Sequence, residues 1–299
     1  MIYRDCHPER IKAALGTGAI LIIHLASSCS VQAAEDTGSL WLSGQVTGGV
    51  YSNSIERSGY SNRMLDLTYN KTDDYSASVS VLYSTLNWKH SPESIDTVAP
   101  GIRLTKWIAV SPQKLMGIKM AVTGIDSNDS NVDNRIVPYL SIMGKSKDGS
   151  NYVDLGYAYS DFTDSTINQF TASYGFSLYN SRLWLRTRLY YLDMGNRPVN
   201  GTKNTTAIEQ KVTWYAIPEK LSLTLSGLAG RRIYGYDPDT SIVYTVPDIL
   251  RGSGGITISY AINPHFRIYS DVSYESYRNP SIDNNYGVTY LTAGVSYGL

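Results

Sequence analysis

Charge, cysteine and long apolar runs are all scarce in this 299-residue chain. Charged residues make up 17%, below the roughly 25% usual for soluble domains. Lys and Arg total 26 and Asp and Glu total 26, so the formal net charge is zero and the basic excess of a nucleic-acid binder is missing. Cys6 and Cys29 are the only cysteines, and both precede residue 34. Beyond that point no disulfide, thiolate metal site or cysteine nucleophile can form. The same region has no run of about 18 apolar residues, the length a membrane-crossing helix needs. Phenylalanine is rare at 4, whereas tyrosine reaches 25 and tryptophan 5. A buried tyrosine hydroxyl needs a partner, so this many amphipathic rings point to many places where apolar surface meets a wet one.

Residues 1–33 read as a secretory signal peptide, and residues 34–299 as one domain, whose pattern below is that of a transmembrane β-barrel. Arg4, Arg10 and Lys12 form a basic start, Ala13 to Ala26 is mostly apolar, and Val31-Gln32-Ala33 suits cleavage after Ala33. A membrane anchor is disfavoured because His24 interrupts a run that is already short of the ~20 residues a spanning helix needs. A lipoprotein-type site at Cys29 would place Leu25 one residue too far upstream. Cleavage removes three basic and two acidic residues, leaving 23 basic against 24 acidic.

Strict alternation fills the rest. In residues 166–179, Phe170, Ala172, Tyr174, Phe176 and Leu178 alternate with Gln169, Thr171, Ser173, Gly175 and Ser177. Successive strand side chains point to opposite faces, so one face is apolar and the other polar. Residues 75–84, 182–193 and 220–232 repeat the pattern. Fourteen such strands are expected, at 39–51, 63–71, 75–88, 101–111, 115–126, 134–145, 151–162, 166–179, 182–193, 205–216, 220–234, 252–262, 265–277 and 286–298. Most are as long as a tilted bilayer-crossing strand. Their connections alternate between long segments, such as 52–62, 89–100 and 235–251, and tight turns, such as Asn180-Ser181 and Asn263-Pro264. A soluble β-sandwich has shorter strands, and a β-helix would show a fixed internal repeat, which is missing. The fold class is therefore all-β, an antiparallel up-and-down transmembrane β-barrel of about 14 strands.

The chain resembles the Gram-negative outer-membrane β-barrels. Its last residues, Tyr290 to Leu299, are similar to the C-terminal signal of that class, with Leu291, Val295, Tyr297 and Leu299 on the apolar positions. The terminal residue is leucine where the class usually carries phenylalanine. In size the chain is similar to fourteen-strand monomeric porins. The resemblance implies an outer-membrane location in contact with its lipids. It also implies recognition of the C-terminal strand by the outer-membrane assembly machinery, short turns on the periplasmic side, and a monomer. Trp41, Trp107 and Trp214 fall near expected periplasmic ends and Trp88 near an outer end, where interfacial rings are favoured.

With the apolar face towards lipid, the inward basic residues are Arg103, Lys119, Arg182, Arg186, Arg188, Lys211, Arg232 and Arg267. The inward acidic residues are Asp66, Asp154, Glu209, Asp271 and Glu275. A charge facing lipid at mid-membrane would cost ~2–4 kcal/mol, which favours the lumen. Lys106 breaks the phase, as at a bulge or misphased strand. The even spacing of Arg182, Arg186 and Arg188 puts three guanidinium groups on one face. They read either as an anion-preferring stripe in an aqueous pore or as a network paired with Glu209, Asp154 or Asp271. The 235–251 loop, rich in Tyr and Pro, is a candidate inward constriction.

Catalytic options are thin. His90 and His265 fall on opposite sides of the membrane and cannot share a site, so no enzyme is expected. The run from Asp126 to Asp133 has oxygen ligands but lacks the glycine and distant glutamate of an EF-hand loop. No metal or cofactor is expected. The short stretch 34–38 leaves no room for an N-terminal plug. Two functions follow: a monomeric porin-like channel for small polar or anionic solutes, or a non-conducting surface, assembly or export scaffold.

Overall fold

The structure, a computed structural model, describes residues 38–299. The signal peptide expected over 1–33 lies outside the described residues. Fourteen antiparallel strands close into a barrel in which each pairs with its sequence neighbours and the first pairs with the last. They are β1 (Ser39–Ser52), β2 (Arg57–Lys71), β3 (Tyr75–Trp88), β4 (Ser94–Ser111), β5 (Lys114–Ser127), β6 (Arg135–Ser146) and β7 (Asn151–Asp161). The circuit continues through β8 (Thr166–Leu178), β9 (Leu183–Asp193), β10 (Asn204–Ile217), β11 (Leu221–Arg232), β12 (Ile249–Asn263), β13 (Phe266–Asn279) and β14 (Asn284–Gly298). The closed circuit leaves no free sheet edge, which is what a bilayer demands of strands.

Two strands are longer than their sequence suggests. β2 begins at Arg57 rather than 63, and β4 at Ser94 rather than 101. The Ser, Gly and Asn content of 52–62 resembles a loop, and Pro100 resembles a break. Pro100 is nevertheless tolerated, with its side chain exposed and opposite Val81 of β3.

Outward side chains form an apolar belt. Val79, Ile102, Ile142, Leu155, Phe170 and Leu291 are each at least half exposed. Soluble monomers rarely show contiguous apolar patches beyond a few hundred Å². A belt around the full circumference therefore needs lipid. Lys106 lies in an unbroken register, so there is no bulge or phase error at that residue. It points outward but reaches the adjacent short turn, where it pairs with Asp74 and lies 5.8 Å from the centre of the Tyr75 ring. A lysine this close to a turn can snorkel out of the apolar zone.

The tryptophans depart from a simple girdle. Trp214 is half exposed on the outer face. Trp88 instead lines a lumenal cavity, and Trp107 shares the inward phase of Arg103 and Thr105 and receives Lys145 over its ring at 4.5 Å. Trp41 has the inward phase of Ser43 and Thr47. End position in the sequence located these rings along the barrel, but strand parity decides the face.

The lumen holds more apolar packing than its charge list suggests. Ile125, Val137, Ile167, Leu192, Ile233 and Val243 belong to one buried cluster. It fills the β5–β12 side of the barrel towards the end carrying the longer loops, and it exists because the 233–248 connection folds inward.

Candidate functional site

The 233–248 segment is a short hairpin inside the barrel. Tyr236 bridges to Val243, Asp237 N–H donates to the Ile242 carbonyl at 2.8 Å, and Tyr244 N–H donates to the Gly235 carbonyl at 2.8 Å. Asp239 lies in the turn at its tip. The hairpin departs from β11 at an irregularity between Ala229 and Arg232, and it re-enters β12 beside another between Leu250 and Gly252. Such bulges re-aim a strand end. Gly230 sits in the first with φ of 117°, and a Cβ there would lie 2.4 Å from the Thr206 carbonyl oxygen. No other residue fits that backbone and that space.

Asp239 is where the basic stripe converges. Arg186 grips both carboxylate oxygens, with Nη1 at 3.0 Å from Oδ1. Arg188 Nη2 is 2.7 Å from Oδ1 and Lys211 Nζ 3.0 Å from Oδ2. Glu209 completes the network, 3.0 Å from Lys211 and 3.6 Å from Arg188, and accepts from the Tyr190 hydroxyl at 3.1 Å. Burial opposes ionisation of Asp239, but Arg188, Lys211 and Arg186 outweigh it and hold the carboxyl well below the usual carboxylate range.

The opposite wall holds the tip as well. Arg103 donates to the Asp239 carbonyl at 2.7 Å and Lys119 to the Pro238 carbonyl at 3.4 Å. Gln169 both donates to and accepts from the Tyr236 backbone, at 2.7 and 2.9 Å. Tyr236 stacks on Tyr139 with centroids 4.9 Å apart. At the base, buried Arg232 lies 4.4 Å from the centre of the Tyr244 ring. Asp248 closes the other arm by pairing with Arg57 and accepting from Tyr286.

The five basic residues Arg103, Lys119, Arg186, Arg188 and Lys211 are thus drawn together by the hairpin. Of the carboxylates weighed as stripe partners, only Glu209 joins them. Asp154 accepts from Tyr152 at 2.9 Å, and Asp271 from Thr257 at 2.8 Å. Asp66 accepts from Thr68 at 2.5 Å and Glu275 from Tyr277 at 2.5 Å. Arg182 does not belong to the stripe: it lies in the turn before β9 and is exposed. With Arg267 it lines a recess of about 460 Å³ at the short-turn end. Sequence reasoning missed Asp239, the principal partner. The signal was the pair Asp237 and Asp239 in a loop of a chain whose neighbouring strands carry surplus basic residues, but a loop gives no periodicity to fix where a side chain points.

Between the hairpin and the walls of β1–β5, β13 and β14 lies a second cavity of about 720 Å³. In contrast, the acidic run 126–133 is occupied with its own backbone: Asp133 Oδ1 accepts from Ser127 N–H and Asp129 Oδ1 from Asn131 N–H, both at 3.0 Å. His90 follows β3 and His265 precedes β13, at opposite ends of the barrel.

No protein-family model and no curated protein sequence matches the chain. Solved structures do share its fold. The toluene transporter TodX of Pseudomonas putida superposes with a TM-score of 0.55 at 9% identity, covering 89% of this chain and 90% of that one. The monoaromatic hydrocarbon channel CymD gives 0.55 at 7% identity, covering 88% and 89%. A bacterial polysaccharide outer-membrane secretin gives 0.50 at 11% identity, covering 89% and 100%. The fold is that of the outer-membrane β-barrels.

Proposed function

We propose that the protein is a monomeric outer-membrane channel whose lumen is closed at mid-depth by its own hairpin and admits small polar solutes when the hairpin moves. The observation that carries this reading is the docking of Asp239 onto Arg186, Arg188 and Lys211. Charged contacts at the tip of the inward-folded hairpin make a latch that can be undone without unfolding the wall. A monoaromatic hydrocarbon channel and a toluene transporter share this fold, which supports a channel, although their solutes are apolar rather than polar. In this arrangement the long loops face outward and the chain ends lie on the periplasmic side. Lipid surrounds the belt, and the last strand addresses the assembly machinery. The stripe is engaged by the hairpin, so an anionic solute would meet free guanidinium groups at Arg182 and Arg267 instead. No catalytic constellation is assigned.

Planar-bilayer recording of the wild type beside a chain with residues 236–243 replaced by a short Gly-Ser linker tests the proposal. The shortened chain should conduct steadily, and the wild type much less. Silence from both would overturn the channel reading. It would favour the second reading, a non-conducting scaffold, which draws on the apolar packing around the hairpin base.

A further inference from the structure

The cavity on the β1–β5 side has a chemistry opposite to that of the basic stripe. Its ionisable lining comprises the carboxylates of Glu56, Asp129, Asp237, Asp248 and Glu275 against one cation, Arg57. Arg57 is already committed to Asp248. Glu275 accepts from the Tyr277 hydroxyl and has no cation at ion-pair distance among the described residues. Rings surround the same space. Tyr60 and Tyr290 meet edge to face at 5.8 Å, Tyr51 and Tyr286 lie 5.8 Å apart, and Trp88 stands on the facing wall. A carboxylate beside several ring faces is what attracts an ammonium group, through charge and through the ring quadrupole together.

Polar atoms of the cavity wall lack partners, as some on the packed wall also do. Asn62 is nine-tenths buried, lines the cavity, and its Oδ1 has no donor. Asp248 Oδ1, more deeply buried, also lacks one, and Arg57 Nε lacks an acceptor. Buried polar groups left unpaired are costly, so native structures keep few of them. These residues all line the cavity, so its wall carries polar groups that the fold itself does not pair. The volume falls within the roughly 300–1,000 Å³ of small-molecule sites.

We propose that this cavity binds small organic cations, with an ammonium group seated by Glu275 among the Tyr51, Tyr60 and Tyr290 rings and a hydroxyl directed to Arg57. The inference deepens the channel reading, because the cavity is the outer vestibule of that channel. It is tested without current. Full-length protein folded in detergent is titrated calorimetrically at low salt with three probes of one shape: tyramine, 4-ethylphenol and 3-(4-hydroxyphenyl)propionate.

Tyramine should bind one per chain, about tenfold or more tighter than the neutral phenol, and the carboxylate should bind weakest. Glu275→Gln should weaken tyramine several-fold and leave 4-ethylphenol unchanged, with a heat-shift gel confirming that the variant is folded. Equal or tighter binding of the carboxylate, no advantage of tyramine over 4-ethylphenol, or no binding of any probe by the wild type would overturn the proposal. The wild-type ranking stands even if the variant fails to fold. A protein that binds tyramine but never conducts fails only the channel reading, and one that conducts but prefers the carboxylate fails only this one.

Discussion

The two sides of the lumen solve the same problem in different ways. On the β5–β12 side the hairpin fills the space. Its tip carboxylate meets three cations, its backbone meets Gln169, and Ile233 at its base shares one buried cluster with Ile167 and Leu192. On the β1–β5 side the hairpin stops short, leaving a cavity with carboxylates in excess over its one cation. The first side is organised as a folded core, in which the hairpin carboxylate and Glu209 gather Arg186, Arg188 and Lys211. The second is left open, with Arg57 paired to Asp248 and Glu275 held without an ion-pair partner among the described residues. Charge on the packed side should therefore matter to stability, and charge on the open side to ligands.

The largest effect should come from breaking the packed side. Arg188 is 1% exposed and joins Asp239 to Glu209. Arg188→Met leaves both carboxylates with one partner fewer in a buried place, which should cost about 3–5 kcal/mol. The urea midpoint of the protein folded into vesicles checks this. Gly230→Ala should cost about 1–3 kcal/mol, because a residue with a Cβ must hold φ of 117° against the β10 backbone. That loss should appear with increased protease cutting in 233–248.

Acid gives a smaller and reversible perturbation. The Asp239 carboxyl is held below its unfolded value of roughly 3.9. Its stabilising contribution is therefore complete above that value and is lost as pH falls through the lower folded one. The latch should stay closed at about pH 5, and bilayer current should rise only in stronger acid. An opening between about pH 7 and pH 5 would contradict the assignment. The smallest stability effect belongs to the open side: Glu275→Gln removes a charge that has no ion-pair partner and should leave the urea midpoint unchanged. A loss comparable to that of Arg188→Met would erase the distinction between the two sides.

The barrel was legible because its signal is repeated. Alternation in β8 or β3 decides the face of every residue, and errors in one strand are corrected by its neighbours. The places where legibility failed are where that repetition ends. Arg57 to Asn62 and Ser94 to Pro100 continue strands with loop-like composition, since hydrogen bonding to established neighbours overrides weak propensity. Leu82, Leu86 and Ile125 face inward against the expectation of a polar lumen, because hairpin and cavity, rather than water alone, lie opposite them. Arg182 shares the parity of Arg186 and Arg188, but β9 starts one residue later, and parity has no meaning in a turn. The alternation found the cations; only the fold of the connecting loop found Asp239.

Single-channel recording of Asp239→Ala beside the wild type, in the same bilayers and at neutral pH, tests the latch most directly. The substitution removes the carboxylate and leaves the barrel wall and the hairpin's length intact. Brief, rare openings are expected in the wild type and long-lived openings in the variant, at a conductance similar to that of the chain with the shortened hairpin. Identical opening frequencies in the two would contradict the latch, because the Asp239 contacts would then not be what holds the lumen closed.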